Sequence, residues 1–207
     1  MYDMMCLIDK YDKEKAHRIV SLVDLQNLSD KAADTWNTPH DIVHLCSALA
    51  IGGVKTARRF IESNQEKIRV MHSPIIAIAP KLTVELFKQG IHVDLMTEHW
   101  WECSYQALHA LIRTDISAAK CILRQNLSVV AERLNEMSTY YMEGPYCLKF
   151  VQQVHDFDKS SFDALIEQVD LNQMNESWEK SYAGAYKTKR MKPRYEMMVA
   201  LLRNEPS

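Results

Sequence analysis

The chain has 207 residues, 47% of them hydrophobic and 25% charged, which is the balance of one folded domain rather than of a disordered segment. Its formal net charge of -2 at pH 7 excludes attraction of the whole surface to nucleic acid or to an acidic membrane. Apolar stretches fall short of the roughly 20 residues of a membrane span, and Asp9 and Lys10 interrupt any signal peptide. We therefore expect a single cytoplasmic domain over residues 1–207, with delivery into a host cell as a secreted effector left open.

The spacing of apolar residues predicts helices along the whole chain. Only five glycines and six prolines are available for turns, so an all-β fold is not expected. The first apolar residues fit a pair of helices, residues 6–8 and 16–23, with a break around Asp12. This pair predicts that the chain begins with a helical hairpin.

A second hairpin is predicted around Gly52 and Gly53. Thr38 and Pro39 supply an N-cap and a first helical residue for the apolar stripe that follows them, and the two glycines end that helix. Another helix starts at once, with apolar residues at helical spacing: Val54, Ala57, Phe60 and Ile61. Two antiparallel helices joined by a glycine turn are therefore expected here.

The same spacing returns later in the chain, which indicates an internal repeat. It recurs in Ile116, Ala119, Ile122 and Leu123, after a helix over residues 107–112 and a turn at Thr114 and Asp115. Further helices are predicted over residues 81–89, over 150–154 and 162–169 with a break at 156–160, and at the final apolar stripe 195–202.

Several segments resemble ankyrin repeats. Residues 83–95, TVELFKQGIHVDL, are similar to the end of a repeat, where a second helix runs into a glycine and a loop. Residues 106–126, QALHALIRTDISAAKCILRQN, are similar to the two helices of the next repeat, with Leu108-His109-Ala110 at the family's Leu-His-x-Ala position. Residues 162–172 and Thr38-Pro39 resemble further copies, which differ from the family pattern in loop length and in the residues after the proline.

The resemblance implies an all-α fold of stacked helical hairpins that form a short ankyrin-like solenoid of about five or six divergent repeats. In such proteins the inter-repeat loops and the concave helical face hold a partner protein. The implied function is a protein-protein interaction module, such as an adaptor, an effector or an immunity-type binding protein. No cofactor and no enzymatic activity are expected, and nucleic acid is not the expected partner.

Two aromatic segments and one basic segment are the candidate partner-binding residues. Adjacent tryptophans at 100 and 101 lie in a predicted loop over residues 92–105, and since both cannot face one core, at least one is expected to be exposed as an interface anchor. Tyr140, Tyr141 and Tyr146 surround a second predicted loop at Gly144-Pro145. The run 187–194, KTKRMKPR, is predicted as a basic loop before the last helix. The candidates are His99, Trp100, Trp101, Tyr105, Tyr140, Tyr141, Lys187, Lys189 and Arg190.

Two metal-site hypotheses stand as alternatives. His40, Asp41 and His44 in HDIVH resemble the metal ligands of HD-type phosphohydrolases, which would make the protein a metal-dependent hydrolase. The other is a zinc site at His92, His99, Cys103 and His109, which lie within 18 residues without the paired spacing typical of structural zinc. No Gly-rich phosphate loop or His-Glu-x-x-His motif occurs in the sequence.

Overall fold

A computed structural model describes residues 2–34, 39–64, 72–96, 101–138, 140, 142, 145–182 and 188–203. Within these ranges the chain forms helices and no strands, which confirms the predicted all-α class. The helices are α1 (Tyr2–Tyr11), α2 (Lys13–Val20), α3 (Leu25–Asp34), α4 (Pro39–Ser63), α5 (His72–Ile78), α6 (Pro80–Lys88), α7 (Trp101–Thr114), α8 (Ile116–Asn135), α9 (Tyr146–Phe157), α10 (Lys159–Ile166), α11 (Leu171–Tyr182) and α12 (Thr188–Leu202). In the part of the chain that is described, none of these helices is long and apolar enough to span a membrane.

Four pairs of consecutive helices are joined by a single extended residue. The corner residues are Asp12, Ala79, Asp115 and Asp158, with φ between -132° and -156° and ψ between 60° and 101°. Each corner amide donates to the carbonyl four residues before it, at 2.7 to 3.0 Å, and each corner carbonyl accepts from the amide four residues after it, at 2.9 to 3.1 Å. One residue therefore ends a helix and begins the next, and the predicted breaks around Asp12, at Thr114-Asp115 and at 156–160 are confirmed.

The predicted glycine break is also confirmed, inside α4. Gly53 has φ 74° and ψ -173°, a left-handed conformation that residues with a Cβ rarely adopt. The adjacent Gly52 leaves no room for a Cβ, which would lie 2.8 Å from side-chain atoms of Thr56. The two glycines thus divide α4 into two helical segments that meet at a sharp bend.

Two helices and one loop boundary differ from the prediction. α3 and α11 were not predicted, because each has few apolar residues. Of the described side chains of α11, only Met174 and Trp178 are buried. The predicted loop over residues 92–105 ends earlier than expected, since Trp101 already begins α7. Packing against other helices stabilises each of these segments as a helix. The apolar residues within the segment are too few to predict that helix from the sequence.

The basic run 187–194 is helical from Thr188 onward, so the prediction of a loop there was wrong. Pro193 lies inside α12, where it removes one backbone hydrogen bond. The helix is anchored on both sides of the proline by buried Met191 and Tyr195, and the Tyr195 ring stacks on Trp178 with centroids 4.2 Å apart. Packing against α9 and α11 therefore offsets the cost of the proline.

The helices pack both against consecutive helices and against the helix next but one along the chain. One row of contacts runs through α5, α7, α9 and α12, and another runs through α4, α6, α8 and α10, with α11 against α8. The larger core cluster lies between these rows and extends from Ile76 to Leu202, and a smaller cluster around Leu45 and Leu49 joins α4 to α5 and α6. The first row carries the site described next.

Candidate functional site

Helices α7 and α9 pack side by side and leave an open cleft of about 520 Å³ between them. We call it the α7–α9 groove and define it by six of the residues that line it: Tyr105, His109 and Ile112 of α7, and Lys149, Gln153 and Asp156 of α9. Gln152 and Phe157 also line it. It is formed by the exposed sides of two helices whose opposite sides belong to the core.

Helical periodicity explains why these side chains share one face. On each helix the groove residues are spaced by three, four or seven positions, which places them on one side of the helix. Leu108 and Leu111 of α7, and Val151 and Val154 of α9, point the other way and are 0% exposed. The groove is therefore the polar side of two amphipathic helices, held in place by their buried sides.

The two helices run in the same direction along the groove. Near their first turns the rings of Tyr105 and Tyr146 lie 6.0 Å apart between centroids. One turn further on, Nε2 of Gln153 lies 3.5 Å from Nδ1 of His109. A parallel pair follows from the fold, because α8 returns the chain to the end at which α9 starts.

Aromatic rings and one ammonium group form the first part of the groove. The ring of His109 stacks on that of Tyr105 at 6.3 Å between centroids. Nζ of Lys149 lies 6.0 Å from the centroid of the Tyr105 ring and 5.3 Å from that of Tyr146, within the range of cation-π attraction. A hydrogen bond to the Glu102 carboxylate and the charge of Glu102 raise the pKa of Tyr146.

The groove has opposite charges at its two ends. Lys149, near the start of α9, forms no ion pair with a carboxylate of the described residues. Asp156, in the last turn of α9, accepts from Nδ1 of His155 at 2.8 Å and is 78% exposed. The groove thus presents a cation at one end, a carboxylate at the other, and aromatic rings and amides between them.

A cluster of paired charges around Asp158 joins α8 to α10 in the same two hairpins. The Asp158 side chain is 7% exposed and accepts from Ser161 Oγ at 2.6 Å, from Lys120 Nζ at 3.1 Å and from Arg124 Nη2 at 3.2 Å. The Ser161 hydroxyl above all, together with Lys120 and Arg124, lowers the pKa of Asp158 to about 2 despite its burial. This cluster, the Asp158 joint, fastens α10 to α8 and leaves the carboxylate no capacity to bind a ligand.

A buried asparagine pins the segment that precedes α7. The Asn126 side chain, 1% exposed, accepts from the Leu95 amide at 2.7 Å and donates to the Val93 carbonyl at 2.8 Å. Ser73 Oγ donates to the Leu95 carbonyl at 3.0 Å, so the segment is held from both α5 and α8. These bonds fix the stretch that leads toward the start of α7, on which the groove depends.

The predicted partner-binding residues lie in several places. Tyr105 lines the groove, and Tyr140, 69% exposed, lies between α8 and α9. Arg190 is exposed on α12, and Lys189 belongs to the same helix. His99, Trp100, Tyr141 and Lys187 lie outside the described residues.

Trp101 does not have the exposed position that would make it an interface anchor. Its side chain is 6% exposed, and its ring meets that of Phe150 edge to face, with centroids 5.6 Å apart and planes at 63°. As the first residue of α7 it packs into the large core cluster. Of the adjacent tryptophans, Trp101 is thus a core residue that ties the start of α7 to α9.

The structure describes some of the residues of each predicted metal site. His40 and Asp41 belong to α4, where their side chains are not described, and His44 is half-buried. Of the zinc candidates, His92 is exposed and bonded to Asp94 at 2.9 Å, His109 lines the groove, Cys103 is half-buried, and His99 lies outside the described ranges. Burial raises the pKa of the Cys103 thiol to about 12. No cluster of three metal-ligating side chains occurs among the residues that the structure describes.

Most of the groove was not predicted from the sequence. Lys149, Gln153 and Asp156 lie on the polar face of α9, and such a face resembles any solvated helix surface until its neighbour is known. The signal that was available is the recurrence of aromatic residues at Tyr105 and Tyr146 near the start of two consecutive first helices.

Comparisons with models of known families, with curated proteins and with solved structures found no match to this chain.

Proposed function

We propose that this chain is a protein-protein interaction module of the ankyrin-like solenoid type, an adaptor, effector or immunity-type binding protein that works in the cytoplasm and holds a partner protein. The α7–α9 groove, together with exposed loop residues such as Tyr140, is its binding surface. The observation that carries the proposal is a mixed aromatic and charged groove on one side of helices whose other side is fully buried.

The composition of the groove fits protein binding better than small-molecule binding. Tyrosines supply large contact area at small entropic cost and are enriched at interface hot spots. Half-exposed Tyr105 and Tyr146 provide such rings, and exposed Lys149 and Gln152 provide polar contacts at their rim. The cleft is open along its length, whereas small-molecule sites bury most of the surface of their ligand.

The stacking of helical pairs supports the same proposal. Each hairpin packs mainly on the next, so the first helices of successive pairs form a continuous surface. Repeat proteins use such a surface to hold an extended portion of a partner. Tyr105, which was predicted as a binding residue, lies in the first part of the groove.

Affinity capture with a groove variant tests the proposal. The tagged wild-type chain, the variant Tyr105→Ala/Lys149→Ala and the control Glu176→Ala/Lys180→Ala are each incubated with extract of the native cell, and retained proteins are quantified by mass spectrometry. Glu176 and Lys180 form an exposed ion pair on α11, away from the groove. We expect the groove variant to lose at least one protein that the wild type and the control retain, while all three give the same helical circular dichroism.

Equal retention by the groove variant would contradict the proposal that the groove is the binding surface. A groove variant with reduced helicity is replaced by Lys149→Ala alone, since Lys149 is exposed and forms no ion pair in the described part of the chain.

A further inference from the structure

The two charges of the groove oppose the dipole of the helix that carries them. A helix is stabilised by anions at its N-terminus and by cations at its C-terminus. In α9 the order is reversed, because Lys149 lies in the first turn or directly after it and Asp156 lies one residue before the end. Glu102 of α7, which accepts hydrogen bonds from Tyr146 and from Gln106 Nε2, forms no ion pair with Lys149.

The charged groups facing the groove from both helices are few. Of the residues that line it, Lys149 and Asp156 are charged and His109 is titratable. Asp156 pairs with His155, whose ring packs against Phe162 of α10. Lys149 contacts the rings of Tyr105 and Tyr146 but has no carboxylate partner among the described residues, and an acidic group of a ligand would supply one.

The length of the groove sets how much of an extended chain can lie along it. From Lys149 to Phe157 it follows nine residues of α9, about 12 Å at the helical rise. At about 3.3 Å per residue, an extended segment places three or four residues in it.

The spacing of the two charges then sets the pattern of the ligand. Lys149 and Asp156 are seven residues apart on one face of α9, about 10 Å along the helix axis. Two to four residues of extended chain cover the same distance within the reach of their side chains. We infer that the α7–α9 groove recognises an extended segment of a partner protein that carries an acidic and a basic side chain two to four residues apart, the acid against Lys149 and the base against Asp156. This inference rests on the proposed function and specifies its ligand.

This inference can be tested by selecting peptides from a random heptapeptide library that is displayed on phage. The full chain is used as wild type, as the swap variant Lys149→Glu/Asp156→Lys, and as the control swap Glu176→Lys/Lys180→Glu, which moves the same charges on α11. Wild type and control are expected to enrich peptides with opposite charges in one order along the peptide. The swap variant is expected to enrich the reverse order, with about a tenfold change in the ratio of the two orders, because two attractions become two repulsions.

The outcomes separate this inference from the function on which it rests. Peptides whose binding is lost on Tyr105→Ala but which carry no charge pattern would overturn the inference and leave the groove as a binding surface. Peptides that bind the Tyr105→Ala variant as well as the wild type would overturn both. Loss of all enrichment in the swap variant, with its circular dichroism unchanged, would likewise overturn the inference, since the reversed groove must accept the reversed peptide.

Discussion

The groove between α7 and α9 and the joint between α8 and α10 belong to the same pair of hairpins. They differ in whether their charged side chains are paired within the protein. At the joint, buried Asp158 receives hydrogen bonds from Ser161, Lys120 and Arg124. In the groove, Lys149 has only aromatic rings as partners among the described residues, and Asp156 is largely exposed. Charge is thus used for cohesion on one side and left accessible on the other.

This difference distinguishes a surface that holds the molecule together from one that is available to a partner. A buried carboxylate must be paired, because an unpaired one costs several kcal/mol. An exposed charge that opposes its own helix dipole costs a few tenths of a kcal/mol. The following predictions test whether the two sides are as separate as this comparison requires, in order of decreasing effect on stability.

The largest effect is expected from the core that both sides share. Leu108→Ala should lower the free energy of unfolding by about 2–5 kcal/mol, because this leucine is 0% exposed and its truncation leaves a cavity. His109→Ala, at the adjacent position but facing the groove, should change it by less than about 0.5 kcal/mol. Urea denaturation of both variants measures the difference; comparable losses would show that the groove side is also part of the core.

The Asp158 joint should contribute a smaller, pH-dependent amount. The folded pKa of about 2 lies below the ordinary value of 3.8, so this contribution is present above pH 4 and is lost as the pH falls through 2. The shift corresponds to about 2 kcal/mol. Asp158→Asn should therefore be less stable than wild type at pH 5 by about that amount and should approach it near pH 2.

The control for this prediction lies two residues away on the groove side. Asp156→Asn removes an exposed carboxylate that pairs only with His155, so its unfolding free energy should follow that of wild type between pH 5 and pH 2. If the two aspartate variants gave the same pH dependence, the two sides would not differ in the way described.

The smallest effect is expected from reversing the charges of the groove. Lys149→Glu/Asp156→Lys places each charge in agreement with the dipole of α9, at a gain of about 0.3–1 kcal/mol per charge. The loss of cation-π contact with the two tyrosines offsets about 0.5–1 kcal/mol of this. The melting temperature by circular dichroism should therefore stay equal to that of wild type or rise slightly, and a marked fall would assign these residues to folding.

The sequence indicates the helices and their corners better than the groove. Asp12, Asp115 and Gly53 mark helix ends by local chemistry, N-capping and positive φ, that a single chain segment carries by itself. α11 also begins after a capping aspartate, Asp170, which accepts from the Asn172 and Gln173 amides, but its buried residues Met174 and Trp178 make a stripe too sparse to recognise. Its position depends on contacts with α8 and α12 that involve residues far away in the chain.

The candidate site could not be predicted from the sequence, because the sequence pattern does not show which helices lie side by side. The tryptophan pair indicated that both rings do not share one core, but it did not show that Trp101 packs on Phe150. Tyr105 was identified as an aromatic residue in a loop and in fact lies on a helix. Lys149 and Gln153 become recognisable only once α9 is known to lie beside α7.

The central claim is that the α7–α9 side binds a partner and the α8–α10 side does not. Photocrosslinking tests this claim most directly. A benzoylphenylalanine replaces Gln152 on the groove wall in one variant and Ser128, exposed on α8, in another, and each variant is irradiated in native-cell extract. The account predicts a discrete adduct of higher mass for the Gln152 variant and none for the Ser128 variant. An adduct formed at Ser128 but not at Gln152 would contradict it.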